Sequence, residues 1–185
     1  MFSTLFNLVL NPSPTINQIM QERKLKLALL GYCIGALSIV LAANLRNGIS
    51  LFSFIFFFIV VLFFNICISF FFSATAHLFL ELTTGRGRAA GLVVLLGLSE
   101  FAKTLFVAFS LIALNFPVMF AYKGLIAFLV ILLQLLFVLY MMQHAYGLNK
   151  KTTFLALIIS FVPAIICFFA TIFILVGAIF WFIFG

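Results

Sequence analysis

Long apolar runs separated by short polar breaks organise this chain from Leu25 onward. The runs cover about 25–45, 49–76, 89–115, 122–146 and 153–184. Each reaches the roughly 20 helical residues that cross a bilayer core. The breaks are "NLRNG", "TTGRGR", "NFPVMFAYKG" and "GLNKK", whose Gly, Asn and Pro are turn chemistry. The second and fifth runs are longer than a core needs, so they tilt, kink or protrude. Pro163 predicts a kink in the fifth. Ahead of these runs, "FSTLFNLVL" at 2–10 is apolar but too short to span, and suits an interfacial segment. "NPSPT" then breaks the chain, and its Ser and Thr predict a capped surface helix from Thr15 to about Lys24. The expected fold is an all-α integral membrane protein with five transmembrane helices and a short N-terminal interfacial helix. Residues 1–24 form the interfacial or cytoplasmic segment and 25–185 the five-helix domain.

Composition sharpens that pattern. Of 185 residues, 67% are hydrophobic and 7% charged, with 28 Phe and a mean hydropathy of +1.42. A water-soluble domain requires far more polar surface. The net charge of +7 would suggest nucleic acid in a soluble chain. Here the basic residues sit at helix ends without interleaved recognition residues, which argues against nucleic acid and for membrane orientation. Arg23, Lys24, Lys26, Arg86, Arg88, Lys150 and Lys151 make seven basic residues on the N-terminal side, against two, Arg46 and Lys123, on the other. That bias predicts the N-terminus inside and the C-terminus outside. Tyr122, Tyr140, Tyr146 and Trp181 fall near span ends, as interfacial aromatics do. Cys33, Cys67 and Cys167 lie within apolar runs without CxxC spacing and read as buried free thiols. Residues 1–20 carry no basic residue and are broken by Pro12 and Pro14, unlike a signal peptide. Asn11-Pro12-Ser13 is barred from glycosylation by its proline.

The stretch "GLSEFAKTLF" places an acid and a base within the third run. Glu100 lies roughly 16 Å from the start of that helix, near the middle of a core about 30 Å thick. Lys103 is one turn further. Ionised groups at this depth cost several kcal/mol unless paired or hydrated. At i and i+3 the two share a face and can pair with each other. Gly97 and Thr104 extend that face. Gln134 in the fourth run, Asn65 in the second and Ser160 in the fifth offer polar groups at similar depth, so a bundle that turns them inward holds one buried network. Such a network either fixes helix packing or forms a site for a proton, an ion or a lipid headgroup.

Three further constellations stand out along the chain. His77 and Glu81 share a face at i and i+4, and His144 ends the fourth run on the same side, giving an inner-rim cluster. Without HExxH and with a third ligand drawn from another helix, a His77–Glu81 hydrogen bond is favoured over a metal, and no metal or cofactor is expected. Ser99 in "GLSEF" lies about 15 Å by helix rise from either histidine, beyond the reach a nucleophile and base require, so a serine protease is excluded. Gly31 and Gly35 in "GYCIG" place a GxxxG face on the first span, suited to close packing within the bundle or to dimerisation.

Two stretches, "NPSPTINQIM" before the first span and "SATAHLFLELTTGRGRAAGLVVLLG" between the second and third, carry a resemblance to the Yip1-domain family of five-span membrane proteins. The resemblance in layout covers nearly the whole chain. It implies a polytopic, non-enzymatic protein; eukaryotic members are linked to vesicle traffic, small GTPases and membrane shaping. The chain departs from the family at "SEFAK", where members often carry an aromatic-proline stretch, and in lacking their long N-terminal region. A bacterial inner membrane is the expected location. The expected function is a scaffold or accessory subunit in membrane organisation or a larger complex, with lipid, other membrane subunits or further copies as partners. The alternative is a permease or lipid-handling component that uses the Glu100–Lys103 site.

Overall fold

The computed structural model describes residues 6–7, 10–22, 24–45, 48–85, 89–116 and 123–184. No strand occurs among them. The helices are α1 (Pro12–Glu22), α2 (Leu25–Asn44), α3 (Leu51–Thr84), α4 (Ala89–Ser99), α5 (Thr104–Asn115), α6 (Lys123–Tyr146) and α7 (Lys150–Phe184), with a 3-10 turn at Glu100–Lys103 joining α4 to α5. Five helical stretches are long and apolar enough to cross a membrane, α4 through α5 counting as one. Arg23, Arg46, Arg86, Arg88 and Tyr122, used above for orientation, lie outside the described residues, as does most of the 2–10 segment.

Three boundaries differ from the sequence reading, each for a local reason. α1 begins at Pro12 rather than Thr15. Proline fits a first helical turn, where its missing N–H has no partner to lose. Thr15 donates its hydroxyl to the Asn11 carbonyl at 2.8 Å instead of capping. α3 runs to Thr84 instead of ending near residue 76, and stops at Gly85, whose φ of 63° lets its N–H return to the Glu81 carbonyl. α7 begins at Lys150, after Asn149, whose side chain accepts from the Thr152 N–H at 2.7 Å.

α4 and the 3-10 turn lie at the centre, between α2 and α6, while α3 runs along α7. The α2–α4 contact is made backbone to backbone. A Cβ on Gly31 would fall on the Gly97 carbonyl, and one on Gly97 would stand 2.7 Å from the Ala28 Cα. The GxxxG face is therefore used within the chain. Packing is uneven along the bundle. Toward the end that carries α1, Leu80, Leu92, Leu95, Met141 and Met142 are almost fully buried, and Ile16 and Ile19 of α1 close over them with no exposed surface. The far half of α3 holds no fully buried residue, and Phe52 there is 81% exposed. In water that surface would aggregate; against lipid tails it is an ordinary outer wall.

Candidate functional site: a buried Glu–Lys network

Glu100 opens the 3-10 turn and is 4% exposed. In a 3-10 turn side chains at i and i+3 eclipse, which stacks Lys103 directly over Glu100. The Lys103 Nζ donates to Glu100 Oε1 at 2.8 Å and Oε2 at 2.7 Å. Gln134 of α6 donates its amide nitrogen to Oε1 at 2.9 Å, and Asn65 of α3 donates to Oε2 at 3.0 Å. Asn65 Oδ1 takes the remaining ammonium bond from Lys103 at 3.1 Å. The second Gln134 proton reaches Ser99 Oγ at 3.2 Å, while the Ser99 hydroxyl donates to the Leu96 carbonyl. A carboxylate offers about four acceptor positions and an ammonium three donors. All are used, and the cluster is neutral. Room for it comes from α2: a Cβ on Gly35 would stand 2.6 Å from Glu100 Oε2 and 2.9 Å from its Cβ.

Glu100, Lys103, Gln134 and Asn65 thus meet as their depths suggested. Thr104 does not join them. It is exposed and donates back to the Phe101 carbonyl at 2.7 Å. Ser160 is buried but donates to the Ala156 carbonyl of its own helix. The sequence reading missed Ser99 as an acceptor and Gly35 as the space beside the carboxylate. The signal for Gly35 was present, one helical turn after Gly31.

No group of three His, Cys, Asp or Glu side chains placed to hold a metal occurs among the described residues. His144 turns back to its own helix, its Nδ1 2.9 Å from the Tyr140 carbonyl and its ring against Tyr140. His77 Nδ1 is buried with no partner among the described residues, as is Ser73 Oγ one turn earlier on α3. The three cysteines are free and half-buried.

Two cavities adjoin the network. The smaller, about 170 Å³, lies among α3, α4, α6 and α7 and is lined by Asn65, Glu100, Lys103 and Gln134 with Phe72 and Phe161. The larger, about 450 Å³, lies among α2, α5 and α6 in the half away from α1. Ile39, Ala43, Phe106, Ala113 and Ile126 form its walls, and Lys103 and Gln134 its end at mid-depth. Lys103, Ile131 and Gln134 line both.

Together these features define a multi-pass, all-α membrane protein built around a buried, neutral Glu–Lys pair. Comparison with protein-family models, curated proteins and solved structures finds no match to this chain.

Proposed function

We propose that the chain is a non-enzymatic scaffold or accessory subunit that organises membrane lipid or a larger membrane complex, after the pattern of the Yip1-domain family. The observation that carries this reading is the closure of the Glu100 network on itself. Every donor and acceptor of the pair is taken by the protein's own helices. A group so satisfied locks three helical segments together, whereas a general acid or base needs an orbital facing substrate. The α1 end below it is closed by apolar side chains, which supports packing over conduction. Purification in mild detergent followed by mass spectrometry is the test. Stoichiometric partner chains or a defined homo-oligomer are expected; a homogeneous monomer carrying only lipid overturns the scaffold reading.

The same proposal seats the protein in a bacterial inner membrane with the α1 end in the cytoplasm, following the seven-to-two basic bias. A C-terminal reporter active only in the cytoplasm is expected to stay silent. A signal from it reverses the orientation. The lipid-handling reading is favoured by one observation of its own, the 450 Å³ cavity that ends on Lys103 and Gln134.

A further inference from the structure

The larger cavity has the shape of a vestibule. Its lining runs from Ala113 of α5, within a turn of that helix's end, to Lys103 at mid-depth, about 15 Å by helix rise. Nearly all the wall is aliphatic or aromatic. Apart from Ser110 partway along α5, its polar groups are Lys103 and Gln134 at the deep end, where they meet the network. A volume of 450 Å³ falls within the range of small-molecule sites, about 300–1,000 Å³. At about 30 Å³ for a water-sized group, it holds on the order of 15 methylene-sized units.

An occupant of this space needs a long apolar chain and one small polar head. The head must also be neutral while it passes the apolar walls, because an unpaired ion there is expensive. A carboxylic acid meets both conditions, whereas a phosphate or sulfate ester stays charged. Charge at the deep end adds a further constraint. Glu100 and Lys103 already cancel, so an anion arriving alone would leave one uncompensated negative charge.

We infer that the vestibule is a binding site for a single-chain fatty acid whose carboxylate takes the place of Glu100 on Lys103. The acid enters protonated and gives its proton to Lys103, which lines the vestibule, as Lys103 passes one of its own along the existing hydrogen bond to Glu100, which lines only the smaller cavity. Glu100 becomes a neutral carboxylic acid, still held by Asn65 and Gln134, and the ligand carboxylate pairs with the Lys103 ammonium. The site is neutral before and after. Lys103, one of the three side chains that line both cavities, is thus the one that changes partner. This inference rests on the lipid-handling reading and names its ligand.

The test titrates the full chain in neutral detergent with hexadecanoic acid and with its methyl ester, counting bound ligand by native mass spectrometry. The acid is expected to bind at roughly tenfold or more higher affinity than the ester, the scale of a charge-assisted hydrogen bond. Lys103→Met abolishes that preference. So does the double variant Glu100→Gln with Lys103→Met, which removes both charges and guards against a folding defect in the single variant. Glu100→Gln keeps the preference, because Lys103 is then free for the ligand. Ala113→Phe fills the vestibule and removes binding of both ligands. Equal affinity for acid and ester, or an unchanged preference in the double variant, overturns the headgroup assignment. If Ala113→Phe still blocks both ligands in that case, the lipid-handling reading survives. Absence of binding, or binding indifferent to Ala113→Phe, overturns that reading as well.

Discussion

Glu100 and Lys103 show how a charge survives at mid-depth in a bundle: by being given every partner it can take. The pair is therefore costly to break and cheap to delete. Glu100→Gln leaves a buried ammonium and Lys103→Met a buried carboxylate, and each is expected to lose about 3–5 kcal/mol. The double variant should regain much of that loss. Thermal unfolding of the four proteins in detergent reads the cycle, and equal stability in all four would show that neither charge is buried. Gly35→Ala is expected to destabilise by about 1–3 kcal/mol, because the new methyl meets the Glu100 Cβ at 2.9 Å as well as a carboxylate fixed by its hydrogen bonds. A melting temperature unchanged by Gly35→Ala would contradict the close approach of α2. At this scale the sequence was informative where depth alone decides. Asn65, Gln134, Glu100 and Lys103 could be gathered by counting residues from helix ends. Thr104 could not, since that argument assumed an unbroken α-helix. A 3-10 turn advances about 120° per residue in place of 100°, which over four residues carries Thr104 about 120° from the Glu100 face instead of about 40°.

Helix by helix, the five apolar runs were legible because length and hydropathy determine them, and their ends were less so. α3 outran its expected end because residues 77–84, although more polar, still stack on the bundle, with Leu80 fully buried. Its stop is set by Gly85, which the "TTGRGR" break contained. In α7 the helix continues through Pro163. Proline leaves the carbonyl four residues before it without its helical donor and strains the turn around it. In that turn the Ser160 carbonyl accepts from the Thr75 hydroxyl of α3 at 2.9 Å. That hydroxyl also lies 3.0 Å from the Phe71 and Phe72 carbonyls. It has a single proton to give, and the Ser160 carbonyl is the nearest of the three and the one that ties α3 to α7. Thr75→Val keeps the shape and removes the donor, so a loss of about 1 kcal/mol is expected. Hydrogen exchange around Ser160 and Ala164 checks it: accelerated exchange there is the predicted sign, and unchanged exchange would assign the proton to α3 itself.

Across the molecule, the two ends of the bundle differ in kind. The α1 end is dense and sealed, whereas the other holds the vestibule and presents α3 almost bare. The sequence placed α1 on a surface by its polarity. Only the packing shows Ile16 and Ile19 inserted against α4 and α6. Hydrophobic residues spaced by three on a short amphipathic helix fit a membrane surface and a bundle end equally well, so the pattern could not separate them. Ile19→Ala is expected to cost about 2–5 kcal/mol, as for other large-to-small changes at fully buried positions. A surface helix bound only to lipid would lose little of the fold's stability, and denaturation in detergent distinguishes the two.

The distribution of partners around Glu100 also bears on how the chain enters the bilayer. Asn65 and Lys103 come from the second span and the third, whereas Gln134 is not made until the fourth. During synthesis, then, the second span can already wait in the insertion machinery with an amide suited to the approaching carboxylate, and the two can move into lipid together as a hairpin. The third span is the least hydropathic of the five, yet its ion pair is less of a burden to insert when it travels with the helix that shields it. Asn65, on this view, acts first as an escort and only later as part of the finished protein.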